Sequence, residues 1–124
     1  MSGSPTNPGE QYNWSVVAAE QMNSQVRRQM FHTETMTVAR VALAKGATVP
    51  EHLHTNEQIS MIESGKMKFV LAGVQTLLSP GDMLRIPPNV PHWVEAIEDS
   101  VVVDLFSPRR EDWIRGDDGY LRGR

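Results

Sequence analysis

Three histidines and a glutamine carry the first chemical signal in this chain. His52 and His54 stand two residues apart in Glu51-His52-Leu53-His54. In a strand that spacing turns both imidazoles to one face and Leu53 to the other. Neutral imidazole is the commonest nitrogen ligand of transition metals. Gln58 lies at an even offset from both histidines and returns to the same face with its amide oxygen. Glu57, at an odd offset, faces away. A second stretch, Gly81-Asp82-Met83-Leu84-Arg85-Ile86-Pro87-Pro88-Asn89-Val90-Pro91-His92, ends on a third histidine behind a rigid proline turn. Three imidazoles and one side-chain oxygen suffice to hold one divalent transition ion (Mn, Fe, Co, Ni or Zn) and leave positions open for substrate. All four donors are neutral. A bound ion would keep its full dipositive charge, which suits an anionic substrate and Lewis-acid polarisation.

A second constellation follows in Val101-Val102-Val103-Asp104-Leu105-Phe106. Asp104 and Phe106 share a strand face, and Asp104 is an acid inside an apolar strand. A carboxylate there is costly without a partner or a task. Arg110 lies a short turn beyond and is placed to fold back onto Asp104 or onto a substrate carboxylate.

The elements that must position these residues are short strands. Thr35 to Ala44 is rich in β-branched and apolar residues and reads as a strand. Ile59 to Ile62, Lys66 to Ala72, Gln75 to Leu78, Asp82 to Ile86, Trp93 to Ile97 and Ser100 to Phe106 follow. They are punctuated by Ser64-Gly65, Ala72-Gly73 and Pro80-Gly81. Strands at such regular intervals predict an all-β sandwich or barrel with no helix longer than about three turns. Residues 1–13, rich in Gly, Pro, Ser and Asn, read as a disordered tail. A single domain is expected over 14–124, with the barrel core at about 36–106 and a C-terminal tail at 107–124. Trp113 and Tyr120 are expected to anchor that tail on the outside of the barrel.

The chain has 124 residues, no cysteine and a net charge of −3. Thiolate metal sites and disulfides are therefore excluded. The acidic balance and scattered basic residues argue against nucleic-acid or membrane-surface partners. The first ten residues lack the basic and apolar regions of a secretion signal, and no apolar run is long enough to span a bilayer. A cytoplasmic protein is the expectation.

The glycine–HxH–Gln–glycine pattern (Gly46, His52, His54, Gln58, Gly65) and the G-D-x-x-x-I-P-P-x-x-x-H pattern (Gly81 to His92) together resemble the two motifs of the cupins. The match spans roughly residues 36–106. It implies a double-stranded β-helix, the jelly-roll barrel, with His52, His54, Gln58 and His92 as metal ligands. With Asp104-x-Phe106-Ser107-Pro108-x-Arg110, the chain is similar to one branch, the pectin-degradation cupins that linearise 4,5-unsaturated uronates. That resemblance implies a non-redox isomerase or hydratase acting on a small sugar acid, with Asp104, Phe106 and Arg110 as functional residues. It also implies a homodimer. The chain departs from those relatives at Thr55-Asn56, where they often carry Pro-His, and at Arg109, where they often carry proline. Two other readings stay open. One is a metal-dependent dioxygenase using the same three histidines. The other is a non-catalytic module that holds a small acid.

Overall fold

Strand alternation organises the molecule. In the computed structural model, which describes residues 8–123, β3 (Thr37–Leu43) and β10 (Ser100–Ser107) bury every second side chain. That is the period-two signature of a strand with one face on a core. Eight more strands complete the set: β1 (Ala19–Gln21), β2 (Val26–His32), β4 (Thr48–His52), β5 (Glu57–Ser64), β6 (Met67–Leu71), β7 (Val74–Leu78), β8 (Met83–Ile86) and β9 (His92–Ala96). Two four-residue helices follow, α1 (Glu111–Ile114) and α2 (Gly119–Arg122). The regular strands agree with the sequence reading, and neither helix exceeds the three turns it allows, although α2 was not among its elements. Among the described residues, no helix is long and apolar enough to cross a membrane.

The pairing is nested. β3 pairs with β10, β4 with β9, β5 with β8 and β6 with β7, all antiparallel. Successive pairs fall alternately into a six-stranded sheet, β1-β2-β3-β10-β5-β8, and a four-stranded sheet, β4-β9-β6-β7. This is one long hairpin rolled into a jelly roll. Its tip is the Ala72-Gly73 turn, with φ of 46° and 83°. Positive φ at both central residues is what a two-residue hairpin loop requires to match strand twist. Gly65, between β5 and β6, has φ of 85°, and any Cβ there would collide with Ser100 and the Asp99 carbonyl. Only glycine lets these two segments pass.

The two sheets close on a core that includes Val26, Ala39, Leu43, Ile62, Met67, Phe69, Ile86, Val94 and Val102. Of the segment expected to be a disordered tail, residues 1–7 lie outside the described residues. Within the described part, the Tyr12 ring sits 4.5 Å from that of Phe31.

Candidate metal centre and its cavity

The nested pairing gathers the chemically capable residues at one end of the barrel. His52, the last residue of β4, is the register partner of His92, the first of β9. His54 lies just past β4, where the chain crosses to the other sheet. Gln58 on β5 stands opposite Phe106 on β10. The imidazole centroids are 4.2 Å apart for His52 and His92, 5.0 Å for His54 and His92, and 5.8 Å for His52 and His54. One nitrogen from each lies within 4.8 Å of the others, so the trio is positioned to bind a metal. The parity reading survives the end of the strand: Leu53 is 56% exposed, and Glu57 turns outward to accept from Arg85 at 2.6 Å.

Each imidazole is oriented by a backbone carbonyl two residues away. His52 Nδ1 donates to Pro50 (2.8 Å), His54 Nδ1 to Asn56 (3.1 Å) and His92 Nδ1 to Val90 (2.8 Å). A carbonyl only accepts, so each Nδ1 carries the proton and each Nε2 keeps its lone pair. Burial pushes the pKa of all three down, to about 4 for His52 and His54, and neighbouring cationic groups add to the shift. The rings are therefore neutral near pH 7, as ligands must be.

The His54 Nε2 lone pair faces Gln58 Oε1 at 3.0 Å. The Gln58 oxygen points there because its NH2 donates to Ser60 Oγ at 3.0 Å. Two lone pairs thus oppose each other with no proton between them, and His92 Nε2 is buried with no partner at all. A cation relieves both defects. At 3.0 Å the two atoms are close enough to bind one ion together, since ligand distances of about 2.0–2.2 Å would span that gap. The donor set fits a divalent ion.

Beside the trio, the barrel encloses a cavity of about 50 Å³ lined by His52, Gln58, His92, Asp104, Phe106 and Arg110 among others. Asp104 and Phe106 both point inward, as their spacing predicts. Burial raises the Asp104 pKa to about 6, against the opposing pull of its hydrogen bonds and of Arg110. Its oxygen accepts from Ser60 Oγ at 2.6 Å. Arg110 does not fold back onto Asp104. Its Nε and Nη2 are held by Asp112 at 2.9 and 2.7 Å, and Nη2 also donates to the Tyr120 hydroxyl at 2.9 Å. The guanidinium lies 4.7 Å from the Phe106 ring and 4.1 Å from that of Trp113. Asp112, two residues on, holds it with two hydrogen bonds, while the adjacent Glu111 pairs with Arg109.

Two features escape the sequence reading. Ser60, fully buried, joins Gln58 to Asp104. Its even offset from Gln58 and its hydroxyl within an apolar strand were the available signal. Trp113 and Tyr120 lie inside rather than outside the barrel. Trp113 is buried, its indole N–H donates to the Tyr120 hydroxyl at 3.0 Å, and the Tyr120 ring rests 4.6 Å from His52. Aromatic spacing in an irregular tail carries no information about which surface it meets.

Comparison with known proteins agrees with this geometry. The Cupin domain family profile matches residues 39–107. The chain is 30% identical over 98 residues to the pectin degradation protein KdgF of Dickeya dadantii, covering 77% of this chain and 89% of that protein. The solved structure of KdgF from Halomonas sp. superposes with a TM-score of 0.80 at 31% identity, over 85% of this chain and 98% of that one. Acireductone dioxygenase of Bacillus subtilis is 36% identical over 70 residues, but those cover 52% of this chain and only 39% of the dioxygenase.

Proposed function

The chain belongs to the cupin family, and from that premise we propose that it is a metal-dependent enzyme that converts a 4,5-unsaturated uronate to its linear keto form. The observation that carries the reading is a buried acid with a pKa near 6 sharing one cavity with His52 and His92 of the histidine trio. The near full-length likeness to KdgF proteins supports it.

His52, His54 and His92 would hold the ion through Nε2 and Gln58 through Oε1. When bound, the ion supplies Lewis acidity to the substrate carboxylate and a neighbouring oxygen. Asp104 gives a proton to C4 of the ring double bond while the oxygen of water bonds to C5. The water proton then returns to Asp104, so the net change is addition of one water. The hemiketal so formed opens to the keto acid without further gain or loss. A carboxyl pKa near 6 lets one residue serve as donor and then acceptor near neutral pH. Phe106 shapes the face on which the ring rests. Arg110, clamped by Asp112, fixes the aromatic floor and directs positive charge toward the incoming carboxylate.

The outer face of the six-stranded sheet supports a homodimer. Phe31, Val38, Leu105 and Ile59 form one cross-strand row, and Val103, Met61 and Met83 run beside it. Met83 is 71% exposed, and an apolar band of this kind is usually covered. Light scattering on the purified chain should give twice the monomer mass.

The decisive assay is loss of the unsaturated-uronate chromophore with metal-loaded protein. Loss well above the uncatalysed rate is expected. A wild type that leaves the chromophore untouched overturns the assignment and moves the dioxygenase and small-acid-binding readings ahead.

A further inference from the structure

Among the described residues, three buried side-chain polar atoms lack a hydrogen-bond partner: His92 Nε2 and the Nε and Nη1 of Arg28. Both residues line the same cavity. The first atom is accounted for by an ion. The other two are not.

Arg28 sits where an arginine is unexpected. β2 turns it inward, into a cross-strand row with Val41, Val102 and Ile62. It is 2% exposed. Only Nη2 is engaged, by Asp118 at 2.8 Å and Glu20 at 3.1 Å. The guanidinium lies 4.6 Å from the Trp113 ring. If its task were only to tie down the C-terminal helix, Arg122 already does so by pairing with Glu20 on β1 at 2.9 Å. Unfulfilled buried donors are costly, and native proteins keep few without a reason.

The geometry points to Arg28 as a ligand-contacting residue that donates from Nε and Nη1 to a neutral oxygen of the substrate, a hydroxyl or carbonyl remote from the carboxylate. This rests on the reading of the cavity as a sugar-acid site. Local charge decides the ligand class. Arg28 and Arg122 face Glu20 and Asp118, two cations against two anions. The cluster is already neutral, so a second carboxylate gains little there, whereas a hydroxyl or carbonyl oxygen satisfies the open N–H groups without adding charge. The carboxylate end belongs with the ion, and the polyhydroxylated end with Arg28.

The test uses the full metal-loaded chain, with D-galacturonate as a non-reacting probe measured by calorimetry and the unsaturated uronate as substrate. Arg28→Met removes the donors and keeps the stem. Arg28→Lys keeps a cation for Asp118 and Glu20 but loses the guanidinium. Asp118→Asn weakens the tie to the tail and leaves Arg28 in place. Both Arg28 variants should weaken galacturonate binding and raise KM about tenfold, with kcat within about twofold; this is the scale of one lost hydrogen bond to a charged group. Asp118→Asn should cause no such loss. The proposal is overturned if Arg28→Lys binds as wild type, if Asp118→Asn loses as much as Arg28→Met, or if wild type does not bind galacturonate. Turnover that ignores Arg28 sinks this inference and leaves the reaction standing. Arg28-dependent binding without turnover sinks the reaction and leaves this inference standing.

Discussion

The two sheets contribute to the cavity in different ways. The four-stranded side and its crossing loop supply neutral imidazoles, each oriented by a carbonyl two residues away. The six-stranded side supplies the acid, the amide and the buried arginine, oriented by other side chains. Gln58 leans on Ser60, and Ser60 on Asp104, 44 residues distant. Arg28 is held by Asp118, 90 residues distant. A locally fixed group survives changes elsewhere in the chain. A group fixed by a network shares its fate with every member. The imidazole side is therefore built to be robust and the side that carries the acid and the amide to be adjustable.

The sharpest break in that contrast is Asp104→Asn. It preserves shape and removes the titrating group, so turnover should fall about 10²–10⁴-fold. Metal content by elemental analysis should stay normal, because the imidazoles do not depend on it. Equal turnover in the variant would return Asp104 to a structural role.

Ser60→Ala attacks the one point where the two sides meet. Without the hydroxyl, the Gln58 amide keeps only Asp104 of the two groups that turn its oxygen toward His54. Metal affinity, read by competition with a chelating dye, should fall about 10–100-fold, the usual cost of losing a group that orients a ligand. Unchanged affinity would show that the Gln58 amide is fixed by something else.

Gln58→Glu keeps an oxygen donor and adds one negative charge. The metal should remain, while the KM for the anionic substrate rises about tenfold. A KM equal to wild type would mean that the carboxylate does not sense the ion.

The smallest expected effect is on stability against pH, where the sides oppose each other. The histidines have folded-state pKa values below 6.5, down to about 4. The unfolded chain binds those protons first, so metal-free protein loses stability as pH falls from about 6.5 to 4. Asp104 has a folded-state pKa above its unfolded value, about 6 against 3.8. Its contribution runs the other way, destabilising above pH 6 and fading below 4. Three histidines outweigh one acid, so thermal unfolding of metal-free wild type should occur at lower temperature at pH 4.5 than at pH 7. Asp104→Asn should be more stable than wild type at pH 7, and that advantage should vanish near pH 4. A variant less stable at pH 7 would contradict the buried-charge account.

The same contrast explains what could be read from the sequence. Strand periodicity, turn glycines and the two histidine segments are local patterns, so an all-β sandwich or barrel and the trio were legible, and the resemblance to the cupins narrowed the barrel to a jelly roll. The grouping of Gln58 with His52 and His54 holds although β4 ends at His52 and the chain bends at Thr55 and Asn56 before β5 begins. Asp104 and Phe106 were found by the same alternation. Arg110 was expected to hold Asp104 or a substrate carboxylate; it lines the cavity, but Asp112 rather than Asp104 holds it. Nothing in the spacing says that Asp112, two residues on, captures it first. Arg28 was hidden because an inward charge is recognisable only once Asp118 and Trp113 are packed beside it. Ser60 was passed over as an ordinary strand residue.

Tyr120 and Leu121 also line the cavity, and they belong to the last helix of the chain. The space they leave, about 50 Å³, is far below the roughly 300–1,000 Å³ usual for a ligand pocket. On the sugar-acid reading, a ligand larger than that space has to displace Tyr120 and Leu121, and the cost of moving them is subtracted from its affinity. The apparent dissociation constant is then the intrinsic one divided by the fraction of molecules in which the two side chains have moved aside. A ligand with few contacts cannot offset that factor, whereas one that reaches from the histidines to the far wall can. On that reading the C-terminal segment favours large, hydroxyl-bearing ligands, and Asp118 and Arg122, which hold the segment against Glu20 and Arg28 without lining the cavity, tune the preference from outside it.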